Sequence, residues 1–76
     1  MKTLSTRDLY MAAFLKTEGY TLVSTERDDR NRVEFVFDLD GEDPKEVQKG
    51  WFDDAKMVPP MTYANAIKNL KSLVMA

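Results

Sequence analysis

The stretch RVEFVFDLDGEDPKE, Arg32–Glu46, decides how this chain folds. Its first half alternates. Val33, Phe35 and Phe37 fall on one face and Arg32, Glu34, Val36 and Asp38 on the other, the period of a β-strand with one buried side. Its second half admits two readings. Asp38, Asp40 and Glu42 at alternate positions resemble the opening of a calcium-binding EF-hand loop. Such a loop needs glycine at its sixth position and a bidentate glutamate at its twelfth. Counted from Asp38, Gly41 stands fourth and Lys49 twelfth. The alternative is a helix start, with Asp43 as N-cap, Pro44 as the first helical residue and Glu46 as the third. This explains Asp43, Pro44 and Glu46 together without an ion. It predicts a strand over 32–38 that runs into a short helix over 44–53, and no metal site.

Working outward, Tyr20–Arg27 is rich in β-branched residues (Thr21, Val23, Thr25), and the polar, turn-prone DDRN separates it from Arg32. The pair reads as an antiparallel hairpin with its Val33/Phe35/Phe37 face inward. Upstream, STRDLYMAAFLKTEGY, residues 5–20, predicts a helix over 6–18. Ser5 or Thr6 would be its N-cap, and Gly19 would take the left-handed position that ends it. Downstream, Ala55–Val58 offers a short third strand before Pro59. From Pro60, the residues Tyr63, Ile67, Leu70 and Val74 recur at helical spacing and predict a helix over 60–75. The order is α-β-β-α-(β)-α, an α+β class with one domain over residues 1–76. A lone hairpin is marginal in water, so the first and last helices are expected to cover its apolar face.

The 76 residues include no cysteine and no histidine. This removes disulfides, thiolate chemistry, the usual general base near neutral pH and the commonest transition-metal ligand. No phosphate-binding glycine loop, GxSxG or HExxH occurs. The expectation is a protein without cofactor that is not an enzyme. No secretory leader or membrane span is legible, and a cytoplasmic setting is expected. The net charge of −2 does not argue for a polyanion-binding protein. The distribution is uneven: nine acids and four bases lie between Glu26 and Glu46, whereas the charges from Pro60 onward are Lys68 and Lys71.

Four places could carry binding. In KGWFDD, residues 49–54, Trp51 beside Lys49 and Lys56 could stack a base of single-stranded nucleic acid. The plainer reading buries Trp51 on Val47, four residues earlier. Arg30 sits among Arg27, Arg32, Asp28 and Asp29 in the hairpin turn, where guanidinium groups suit phosphate or carboxylate but the aspartates offset them. Lys68 and Lys71, with Asn65, Asn69 and Ser72, give the last helix a polar face that could enter a groove or simply be solvated. Finally, a small sheet leaves an open edge, to which a partner strand could add.

Taken together, TRDLYMAAFL (residues 6–15), RVEFVFD (32–38) and NAIKNLKSL (65–73) resemble a small bacterial and phage family known as a domain of unknown function. The resemblance spans nearly the whole chain. It implies a small accessory protein of a phage or mobile element and brings no catalytic residues. The resulting expectation is a protein-interaction module whose partner is another protein or a second copy, forming a homodimer through a sheet edge. The alternative is a nucleic-acid-binding accessory protein using Arg30, Lys49, Trp51, Lys56, Lys68 and Lys71. No membrane partner is expected.

Overall fold

The computed structural model describes residues 2–53 and 57–75. In chain order the elements are β1 (Thr3–Thr6), α1 (Leu9–Thr17), β2 (Thr21–Arg27), β3 (Val33–Asp38), α2 (Pro44–Phe52) and α3 (Pro60–Met75). The three strands form an antiparallel sheet in the order β1-β3-β2. The α+β class, the hairpin and the three helices agree with the sequence reading.

The expected first helix over 6–18 is corrected at its start. Thr3–Thr6 is a strand, with Leu4 opposite Phe37 and Thr6 opposite Phe35. Ser5 and Thr6 therefore do not cap α1. Asp8 does: it is extended (φ −80°, ψ 113°) and its carboxylate accepts from the backbone N–H of Tyr10 at 2.9 Å and of Met11 at 3.4 Å. Hydroxyl residues suit a cap and a strand edge equally, and pairing with the sequence-distant β3 decides between them. The helix ends as expected. Gly19 is left-handed (φ +97°), Tyr20 N–H donates to the Leu15 carbonyl and Gly19 N–H to that of Lys16, each at 3.1 Å. These are the two bonds of a Schellman ending.

The hairpin turn is organised by one side chain. The Asp28 carboxylate accepts from the backbone N–H groups of Arg30 and Arg32, each at 2.9 Å, while Asn31 adopts φ +63°. A bulge interrupts β2 between Leu22 and Ser24. On β3, Phe35 and Phe37 are buried, and Leu39 beyond the strand continues the buried series. They join Leu4 from β1, Met11–Leu15 from α1, Val47 from α2 and Ala66 and Leu70 from α3 in one core. The first and last helices thus cover the β3 face as expected.

Asp38 and Asp43 of DLDGED are engaged in a turn and a cap. Asp38 accepts from Asp40 N–H at 2.9 Å, and Asp40 and Gly41 both have positive φ. Asp43 is extended, accepts from Lys45 N–H at 3.0 Å and starts α2 with Pro44 behind it. Val47 is buried, and Trp51 lies half-buried with its ring centroid 5.4 Å from that of Phe14. Of the expected strand over 55–58, Ala55 and Lys56 lie outside the described residues. Met57 and Val58 are irregular, so the third strand is β1. Helix α3 spans the expected residues, and Tyr63 Oη donates to the Tyr10 carbonyl at 3.0 Å. Among the described residues, no helix is long and apolar enough to cross a membrane.

Candidate functional site

Three segments meet at one end of α1 and enclose a groove of about 530 Å³. The β1–α1 connection contributes Arg7, and the first residue of α1 is Leu9 on the same side. The hairpin contributes Asn31, Arg32, Val33 and Phe35, and the last turns of α3 contribute Lys71 and Val74. The strand period turns Val33 and Phe35 to the same side. Lys71 and Val74 are three apart and therefore neighbours on one helix face. Phe35 is buried and Leu9, Val33 and Val74 are half-buried, whereas Arg7, Arg32 and Lys71 are exposed. The floor is accordingly apolar and the rim cationic.

The two arginines converge on Asp28. Arg32 Nε lies 2.8 Å from its Oδ2 and Arg7 Nη2 lies 3.8 Å from the same atom, while Arg7 Nε is 3.7 Å from Glu34 Oε2. The backbone N–H of Arg32 leads the groups that hold the Asp28 carboxyl below its ordinary value, with the Arg32 guanidinium and the Arg30 N–H adding to it. Lys71 differs: among the described residues, no acid lies within ion-pair reach of it. Arg27 spans the groove walls. Its Nη1 donates to Asn31 Oδ1 at 3.1 Å on the hairpin, and its Nη2 donates to the Val74 carbonyl in the last turn of α3. A cation there also suits the negative end of the helix dipole.

A second, smaller hollow is acidic, lined by Tyr20, Glu42, Asp43, Glu46 and Val47. Tyr20 Oη donates to the Glu42 carboxylate, and this bond, reinforced by burial, pushes the phenol up to about 12. The contact ties the turn after α1 to the turn before α2.

The residues singled out in the sequence are dispersed. Lys71 lies on the groove rim. Lys68 is exposed one turn earlier on α3 and does not line the groove. Arg30 is exposed in the hairpin turn, outside the groove. Lys49 is on α2, 4.0 Å from Glu46, and Trp51 packs tilted on Phe14, so one side of its indole is covered. Lys56 lies outside the described residues. The sequence reading missed Arg7, and it set Arg27 and Arg32 aside as neutralised by Asp28 and Asp29. The helical spacing of Val74 beside Lys71 was the available signal for an apolar surface next to a charge.

A family model described as a domain of unknown function, DUF5659, matches residues 1–76. The chain belongs to the DUF5659 family. No curated protein and no solved structure matches it. Membership agrees with the family resemblance seen in the sequence at the level of a domain of unknown function. The roles of Arg7, Arg27 and Lys71 in this DUF5659 chain rest on its own geometry.

Proposed function

We propose that this DUF5659 domain is a non-enzymatic interaction module that seats a segment of a protein partner in the groove between the hairpin and α3. The observation that carries the reading is the half-buried apolar floor of Leu9, Val33 and Val74, open to solvent beneath the cationic rim. A groove of this size, mostly apolar with a few convergent polar groups, is the usual form of a binding site. On the resemblance in its sequence we extend the reading to an accessory protein of a phage or mobile element, and on its lack of cysteine to a cytoplasmic setting.

Self-association through β2 is a second reading. The outer edge of β2 has no neighbouring strand among the described residues, and Val23 stands 50% exposed on it. The bulge at Leu22/Ser24 shortens the regular edge to Ser24–Arg27, which favours a weak dimer over a tight one. A solution mass at several concentrations tests it: a twofold mass at high concentration supports it, and a monomer throughout rejects it.

The groove is tested by capture from bacterial lysate after nuclease treatment, with the wild-type chain and the Val74→Asp and Lys68→Glu variants side by side. A protein retained by the wild type and Lys68→Glu but lost with Val74→Asp supports the groove. A protein held equally by all three rejects it. Nucleic acid recovered before nuclease, with every protein lost after it, favours the nucleic-acid alternative. That binding would fall by roughly 0.9 log units per phosphate contact per log unit of salt on duplex DNA.

A further inference from the structure

The groove's charges narrow the chemistry of its occupant. This inference rests on the interaction reading and deepens it: we infer that the groove takes a peptide segment carrying a carboxylate next to apolar side chains, with Lys71 as the cation that meets the carboxylate.

The arginines around the groove are already engaged. Arg32 is bonded to Asp28, and Arg7 lies near both Asp28 and Glu34. Arg27 is engaged by Asn31 and the Val74 carbonyl. Lys71 stands on the same rim without an acid among the described residues. An anion arriving beside it finds an ammonium that no acid among the described residues holds, with two guanidinium groups on the same rim whose remaining N–H donors can turn to it. Apolar side chains on either side of that anion would meet Leu9, Val33 and Val74.

The same geometry argues against a nucleic-acid strand. Asp28 and Glu34 stand among the cations, so a chain of phosphates would meet two carboxylates along with the positive charges. An apolar floor gains nothing from a sugar-phosphate backbone. One carboxylate flanked by apolar groups fits both features, with the positive rim steering it and selecting against basic or neutral segments.

The test is selection from a random peptide display library against the folded chain, followed by titration of the enriched peptides. The expected peptides hold Asp or Glu between apolar residues and shift the NMR methyl signals of Leu9, Val33 and Val74. Replacing their acid by its amide, or using the Lys71→Gln protein, should weaken binding about tenfold, the scale of one charge-assisted hydrogen bond. Lys68→Gln should leave it unchanged, which separates a local contact from general electrostatics. Both lysines are exposed, so these variants are expected to fold, and unchanged circular dichroism verifies it.

Other outcomes are decisive. Acid-free apolar peptides that bind the wild type and Lys71→Gln equally at the groove overturn this inference and leave the interaction reading standing. Peptides that shift signals elsewhere, or no enrichment at all, overturn it as well, and the lysate capture then judges the broader reading separately. Decanoate shifting the groove methyls where no peptide does would make the occupant a small amphiphile and reject a peptide.

Discussion

Arg27 joins Asn31 to Val74: one guanidinium donates to the side-chain amide of a hairpin turn and to the carbonyl of a helix's last turn. The residues are far apart in sequence, and the groove walls are held at their separation by this bridge. Replacing Arg27 by Ala should lower stability by about 1 kcal/mol, as expected for exposed hydrogen bonds with a charged donor. Denaturant unfolding measures this, and NMR should show the signals of Val33 and Val74 shifting together. Arg27→Lys should recover only part of the loss, because an ammonium does not reproduce the planar fork.

The true N-cap of α1 is a discriminating site. Asp8→Ala should cost about 1 kcal/mol, the typical loss of a capping side chain. Ser5→Ala, on the exposed face of β1, should stay within about 0.5 kcal/mol of wild type. A reversed order in thermal or denaturant unfolding would mean that the helix starts earlier than Leu9.

The central strand carries the core. Phe37 is fully buried between Leu4 of β1 and Leu22 of β2, under the helices. Phe37→Ala should cost about 3–5 kcal/mol, the range for deleting a buried aromatic. That is a large share of the stability of a small domain, so a substantially unfolded chain by circular dichroism is the expected result.

Two groups give the stability profile opposite limbs. Asp28 is held below its ordinary 3.8 by N–H donors and Arg32. Its folded form therefore binds the proton less readily than the unfolded chain does. Its contribution is present above 3.8 and is lost as pH falls through the lower folded value. Tyr20 is raised from 10.0 to about 12 by its bond to Glu42. Its contribution is complete below 10.0 and is lost as pH rises toward 12. Unfolding measured across pH should show Asp28→Asn flattening part of the acid limb, and Tyr20→Phe reducing the alkaline fall, the remainder including the Tyr63 phenol, which burial also raises.

Local signals made much of this fold legible. Asp43 caps α2, with Pro44 at its first position and Glu46 in its first turn, as their spacing demands; Gly19 ends α1, and the Phe35/Phe37 alternation marks the buried face of β3. Strand β1 was not legible because its four residues are decided by pairing with β3 rather than by their own pattern. The groove was hidden for the same reason. Lys71 could be picked out as a charge on an amphipathic helix. Arg7, Arg32 and Val33 become its neighbours only when β1, the hairpin and α3 are brought to one end of α1. The Arg–Asp alternation of the hairpin looked self-cancelling, yet Asp28 is shared by two arginines from different segments.

The most direct measurement is an NMR titration of the uniformly labelled chain with the segment that lysate capture identifies. Shifts should concentrate at Leu9, Val33, Lys71 and Val74 and disappear with Val74→Asp. Shifts centred instead on Lys49 and Trp51 of α2, or along the outer edge of β2, would contradict it.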